Sequence, residues 1–390
     1  MCKKACFNTF LSNFIDFSAE TIYNKITKYT TEFSEDEKMS KLKVAVIGCG
    51  SISHCHFPVY KAREDIELVA CVDIDIKRAK ACAEKYEVPN YFKSTKEMLE
   101  KCDVDFVDVC TWPSAHGPVT IEAANAGKHV ICEKPTSHNL KSALKMREAV
   151  LNNNVVFQLA VPLRYQKKAV YLREMVDRGE LGEVFYGRTA YVRQRGIPGG
   201  WFSCSKYSGG GPVIDIGVHR IDLAWYAMGC PKPVSVSASA SYRIGDYRPN
   251  VSEKNKENAW AGTTVKGYKF DTEDSACGFF RFENGATLYF DTSWSFNGPI
   301  ENATTIVGDK AGATLDPFKL FKGDGMNITE EIPEGDFEGD FFEHEIAHFI
   351  DCIKTGKKPS SDIEQAVQLE AMLAGIYESA KKGREIKLKY

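Results

Sequence analysis

Lys43-Val44-Ala45-Val46-Ile47-Gly48-Cys49-Gly50-Ser51-Ile52-Ser53 is an apolar run that breaks into a glycine-rich turn. Short apolar runs of this kind read as buried parallel strands. The residues that follow, to about Arg63, predict a helix, and residues 67–73 predict a second strand. That order is a βαβ unit with glycines at its first turn. Gly48 permits the tight turn. Gly50 lets the backbone approach a pyrophosphate at the helix N-terminus, where Ser51 and Ile52 stand. Ser53 replaces the third glycine of the pattern, so the helix is expected to pack slightly farther from the sheet. Asp73 ends the second strand. Its carboxylate would accept hydrogen bonds from ribose hydroxyls and repel a 2′-phosphate, which favours NAD over NADP. Lys77 and Arg78 lie close enough in sequence to soften that choice.

Outward from this unit the alternation continues. Residues 76–86 predict a helix, Ser94-Thr95-Lys96-Glu97 is a capping box, and residues 106–110 predict a strand. Thr111-Trp112-Pro113-Ser114-Ala115-His116 follows, then a helix that stops at Gly127. Val130-Ile131-Cys132-Glu133-Lys134-Pro135 ends an apolar run in an acid, a base and a proline. Pro135 cannot extend a ladder, so Lys134 hangs at the lip of the sheet, where ligands of open α/β sheets lie. Strands and helices alternating in this way predict a parallel sheet wound on both faces.

After Val161 the pattern changes. A helix is expected over about 165–178, a long strand over 184–195, and a helix over 212–228. Asp215, His219 and Asp222 fall at i, i+4 and i+7 of that last helix, on one face of an otherwise apolar element. The preceding Gly209-Gly210-Gly211 is expected to let the helix end approach a ligand. Strands and hairpins dominate from Val234 onward, and Asn284-Gly285 suits a type I′ turn. Residues 243–272 read as a polar insertion, a candidate lid. Two helices, 341–354 and 363–382, close the chain. These features divide it into an N-terminal extension (1–40), a dinucleotide domain (41–162) and a second α/β domain (163–390). The last helix, 361–382, is placed to pack back on the first domain. In the extension, Phe7, Phe10, Phe14, Phe17 and Ile22 recur near helical spacing, and Met39 is an alternative start.

Composition excludes several classes. A net charge of −3 over 390 residues leaves no nucleic-acid footprint and no polybasic membrane patch. No stretch approaches the ~20 apolar residues of a membrane span. Thirteen cysteines are scattered without a CxxC pair, which suits a reducing cytoplasm. His344-Glu345-Ile346-Ala347-His348 matches a zinc-protease pattern but lacks a third ligand at the expected spacing, so no metal is expected.

Gly48-Cys49-Gly50, Thr111 to His116, Glu133-Lys134-Pro135 and Gly209 to His219, in this order, resemble the Gfo/Idh/MocA family, the glucose–fructose oxidoreductase and inositol dehydrogenase group. The resemblance runs from about Lys41 to the C-terminus. It implies a Rossmann domain followed by an α/β domain whose largely antiparallel sheet is open on one face, commonly an oligomer interface. It also implies hydride transfer between a nicotinamide cofactor and a sugar or cyclitol. Lys134, Asp215 and His219 match the family's active-site lysine, aspartate and histidine, with Glu133 beside the cofactor. Arg164 matches a cofactor-contacting arginine. Thr111, Pro113 and His116 match the loop beside the nicotinamide, although Trp112 stands where many members have proline. Trp201 and Lys206 fall in a loop that can touch substrate. Arg164, Lys206 and Asp222 are expected to meet the hydroxyls of a polyol. His219 would take the hydroxyl proton. Lys134 would hold the reacting oxygen, and Asp215 would orient the imidazole or bind a hydroxyl. Two other readings share these residues: an NAD-dependent glycosidase of similar fold, and a non-catalytic sensor of dinucleotide or sugar.

Overall fold

The computed structural model describes residues 41–198, 200–245 and 270–390. The helical pattern of residues 7–22, Met39 and most of the 243–272 insertion lie outside the described residues. From Leu42 on, the chain forms one compact body built on two sheets.

Six strands make the first sheet: β1 (Leu42–Ile47), β2 (Ile66–Val72), β3 (Asn90–Phe92), β4 (Phe106–Val109), β5 (His129–Glu133) and β6 (Phe157–Ala160). Their spatial order is β3-β2-β1-β4-β5-β6 and every pair is parallel. This is the Rossmann order, with its switch point between β1 and β4. Strands of four to seven mostly apolar residues are buried on both faces, as an all-parallel sheet requires. Gly48 leaves β1 at φ +98°, and a Cβ there would sit 2.4 Å from the Cys110 carbonyl oxygen. Only glycine lets the turn pass that close to β4. Ser53 at the third position is accommodated by donating its hydroxyl to the Gly50 carbonyl at 2.7 Å.

The second sheet has nine strands: β7 (Val184–Val192), β8 (Pro233–Ser241), β9 (Ser275–Phe282), β10 (Thr287–Ser293), β11 (Glu301–Gly308), β12 (Ala311–Leu315), β13 (Phe318–Asp324), β14 (Asn327–Glu331) and β15 (Ile386–Lys387). Their order is β14-β13-β12-β11-β7-β10-β9-β8-β15, and only the central β7–β10 pair is parallel. The β9–β10 connection differs from the expected type I′ turn. Gly285 alone has positive φ, at +85°, and its N–H returns to the Phe282 carbonyl, so a type I turn closes with a left-handed glycine.

The helix expected over 212–228 is not uniform. Val213–Gly217 is a π turn, and the α-helix proper is Val218–Ala227. The wider turn changes the angular step. Asp222 therefore does not share the Asp215 face. It is fully buried and pairs with Arg164 through two short bonds, 2.7 Å to Nε and 2.6 Å to Nη2. Arg164 also donates to the Ser360 carbonyl and to Gln365 Oε1. The roles expected for Arg164 and Asp222 at cofactor and substrate are thus corrected. A buried guanidinium needs its charge matched, and it finds its partners between the 3₁₀ turn Pro162–Tyr165, the Val218–Ala227 helix and the start of the last long helix, Ile363–Lys382. That last helix also joins the two sheets: Thr136 Oγ1 donates to its Ala366 carbonyl, and its Ser379 hydroxyl accepts from the β8 residue Ala238.

Removing one side of the Arg164–Asp222 pair leaves a charge stranded in the core. Arg164→Met should lower the unfolding free energy by about 3–5 kcal/mol. Adding Asp222→Leu should restore a large part of it. Urea melts of the two variants against the parent check both, and a single variant as stable as the parent refutes the structural role.

Candidate active site

A cavity of about 1180 Å³ runs from the β1 turn to the second sheet. Gly48, Gly50, Ser51, Ile52 and Asp73 line one end, with Thr111, Trp112, Glu133 and Lys134 along its floor. Tyr191, Arg193, Trp201, Asp215 and His219 line the other. These positions lie far apart in the chain and come together because β1, β4 and β5 end at one edge, facing the π turn.

The residues present fit a dinucleotide. A Cβ on Gly50 would meet nothing within 4 Å and would project into open space, which is the clearance a pyrophosphate needs. Asp73 is buried at the end of β2. Its Oδ2 accepts from Cys49 N at 3.0 Å and its Oδ1 from Asp75 N at 2.9 Å, so the same carboxylate that would meet a ribose also holds the glycine turn. Arg78 reaches within 3.8 Å of it.

Lys134 follows β5 directly. Its Nζ donates to the Asp215 carbonyl at 2.6 Å and lies 3.5 Å from Asp215 Oδ1. Asp215 Oδ2 accepts from Trp294 Nε1 at 2.9 Å. The carboxylate is thus held between lysine and indole and does not touch the imidazole, which corrects its expected orienting role. The π turn lets Asp215 present both its carbonyl and its side chain to Lys134. His219 Nδ1 is buried without a hydrogen-bond partner, so Nε2 is the nitrogen placed to meet a substrate. Burial pushes the His219 imidazole well below its ordinary pKa, and the nearby Lys134, Arg220 and Arg193 cations push the same way. The imidazole is therefore neutral at pH 7.

Several expected site residues lie elsewhere. His116 is fully buried and does not reach the cavity. Its Nδ1 lies 2.7 Å from the Pro135 carbonyl and its Nε2 3.1 Å from that of Thr111, so it ties the loops after β4 and β5 together. Pro113 opens the helix Pro113–Asn125 and lines a small crevice beside Lys134 and Trp201. Lys206 is exposed, with its ammonium over the Tyr207 ring and outside the cavity lining. Gly209–Gly211 are held by packing, and Gly210 also lines the small crevice beside Lys134 and Asp215. A Cβ on Gly211 would lie 2.3 Å from the Glu273 carbonyl oxygen, and one on Gly210 would collide with the Tyr377 hydroxyl.

Two supports had no signal in the sequence. Trp294, just past β10, holds Asp215. Glu273 is buried and accepts from Gly211 N, Val213 N and Tyr377 OH. It caps the helix that carries Asp215 and His219, a remote carboxylate replacing a local cap. Behind Lys134, Glu133 Oε2 accepts from Lys134 N, and its Oε1 lies 3.4 Å from His56 Nε2. His56 Nδ1 in turn lies 2.8 Å from Asp108 Oδ2. Burial opposes charge on His56, but Asp108 and Cys110 beside it prevail and its pKa stands well above the ordinary value. The HExxH residues diverge: His344 Nδ1 meets the Tyr165 carbonyl, and His348 Nε2 accepts from Ser360 N.

Comparison with known proteins agrees with this architecture. Residues 42–161 match the model of an oxidoreductase family with an NAD-binding Rossmann fold, and residues 169–314 match the GFO/IDH/MocA C-terminal domain. The chain is 31% identical to the D-glucoside 3-dehydrogenase of Escherichia coli (strain K12), over 90% of this chain and 98% of the relative. It is 25% identical to the scyllo-inositol 2-dehydrogenase (NAD(+)) of Bacillus subtilis (strain 168), over 86% and 93%. The crystal structure of aldose-aldose oxidoreductase from Caulobacter crescentus, complexed with glycerol, superposes with a TM-score of 0.73 at 26% identity, covering 89% of this chain and all of that one. With both domain models matched and a relative covered almost end to end, the chain belongs to the Gfo/Idh/MocA family of NAD-binding oxidoreductases.

Proposed function

We propose that the chain oxidises a ring hydroxyl of a sugar, glycoside or cyclitol with NAD, and reduces the corresponding ketone with NADH. The observation that carries this reading is the convergence of Lys134, Asp215 and His219 on one cavity continuous with the Gly48–Gly50 turn. The names of two relatives, a D-glucoside 3-dehydrogenase and a scyllo-inositol 2-dehydrogenase, support a ring carbinol as the reacting group.

Bound NAD would supply the hydride chemistry, and Gly48, Gly50, Ser51, Ile52, Asp73 and Thr111, which line its end of the cavity, would hold it. The remaining work is positioning and one proton transfer. His219, neutral through burial, accepts the hydroxyl proton at Nε2 and returns it in the reverse direction. Lys134 has three donors. Two are engaged by the Asp215 carbonyl and carboxylate, which fixes the ammonium and leaves one for the reacting oxygen. Asp215 acts on Lys134, and Trp294 acts on Asp215. Trp201 stacks on Phe202 with ring centroids 3.9 Å apart and offers an apolar wall to a sugar ring.

Self-association through the second sheet fits its outer face. Tyr186, Arg188, Phe279, Arg281, Tyr289 and Asp291 share that face by register, and Tyr186 is 36% exposed. Light scattering of the purified protein tests this, and a monomer at micromolar concentration rules it out. Among the described residues no helix is long and apolar enough to cross a membrane, and the cysteines are free, which supports a cytoplasmic setting that cell fractionation can check.

Lys134→Ala and His219→Ala should each lower kcat by roughly 10²–10⁴-fold while NADH binding, followed by fluorescence, changes little. Retained turnover in both variants ends the assignment. The pH profile gives a separate check. A base works when deprotonated, and a lowered pKa moves its loss to lower pH. The acid limb of kcat/KM assigned to His219 should therefore fall below pH 6.5, and a limb above 6.5 that vanishes in His219→Asn contradicts the burial argument.

A further inference from the structure

Arg193 stands at the substrate end of the same cavity. It follows β7, and the period of two places Tyr191 and Arg193 on the same side of the strand, both lining the cavity with Asp215 and His219. Its backbone is pinned: Arg193 N donates to the Ser293 carbonyl and its own carbonyl accepts from Ser293 Oγ. The side chain folds back over the Tyr191 ring, 4.9 Å from its centroid, and donates from Nη2 to the Tyr191 hydroxyl at 2.9 Å. Nη1 makes a long contact of 3.4 Å with the Gly196 carbonyl. Gly196 is there for the arginine, since a Cβ would lie 2.6 Å from Arg193 Cδ.

A guanidinium has five N–H donors, and these contacts engage two. Among the described residues no carboxylate pairs with Arg193. Lys134, on the same cavity, is paired with Asp215, and Arg220 shares Asp316 with Lys168. The substrate end of the cavity therefore holds a guanidinium that no carboxylate among the described residues pairs with, on a half-buried fork whose stem is fixed. A fork of parallel donors suits a carboxylate.

We propose that the substrate is a sugar acid, a hexuronic acid or its glycoside, whose carboxylate pairs with Arg193 and Tyr191 while its ring hydroxyl reaches Lys134 and His219. The fate of the bound sugar rests on the dehydrogenase reading; its charge rests on Arg193 alone. The test separates them by measuring binding apart from turnover. Calorimetric titrations of the NADH-loaded full-length protein would compare methyl glucuronide, galacturonide and mannuronide with their neutral methyl glycosides, which differ only in carboxylate against hydroxymethyl. At least one acid should bind roughly tenfold or more tightly than its neutral partner at low salt. Arg193→Gln should abolish that preference and change neutral-sugar affinity by less than about threefold. Arg193→Lys, as a second variant, should keep part of it. Equal affinity within every pair, no binding of any acid, or the same loss for acid and neutral sugar in Arg193→Gln overturns the proposal. Tight, Arg193-dependent binding of an acid with no NADH formed from any sugar upholds the charge and defeats the dehydrogenase reading instead.

Discussion

The contact between Lys134 and Asp215 is the constraint on which the site depends. One partner stands at the end of a strand in the first sheet, and the other in a π turn packed on the second sheet. The lysine side chain is 15% exposed and the aspartate 14%, so neither charge is well solvated. Such a pair is weak evidence for stability, because desolvation offsets much of the attraction. Its value is geometric. The ammonium takes the carbonyl oxygen of Asp215 as well as its carboxylate, and the indole of Trp294 holds the remaining carboxylate oxygen. Three elements distant in sequence are thereby fixed at one point on the cavity floor.

Charge is handled differently on either side of that point. Toward the core, Arg164 and Asp222 neutralise each other, and Asp108, His56 and Glu133 form a chain of buried acid, imidazole and acid. Toward the cavity, His219 stays neutral under burial and three neighbouring cations, and Arg193 stays unmatched among the described residues. Low dielectric makes both arrangements consequential: matched groups become rigid, and unmatched ones wait for a ligand.

Much of the first sheet was legible because buried parallel strands are short apolar runs and their connections carry Gly48, the Ser94–Glu97 capping box and Gly127 at informative places. Three-residue β3 escaped, having too few side chains to show a period. That Lys134, Asp215 and His219 line one cavity was legible from motif and spacing. Asp222 was misread because i+7 shares a face only in a continuous α-helix, and the π turn breaks that continuity. Arg164 and His116 were misread for a related reason: sequence shows that a polar group sits near a site, whereas only packing shows which way it faces. Trp294 and Glu273 left no trace, since each acts across a long stretch of chain on a helix it is not part of.

The central pairing of the second sheet has a consequence for how the molecule assembles. β7 lies beside β10 in parallel, so the chain must run out through β8 and β9 before the middle of that sheet can close. Contacts of such high order form late and slowly. Trp294 comes just after β10, and the indole that steadies Asp215 is delivered by that same closure. On a ribosome every strand of the first sheet is made before β10 and Trp294 emerge, so the geometry around Asp215 is complete only near the end of synthesis.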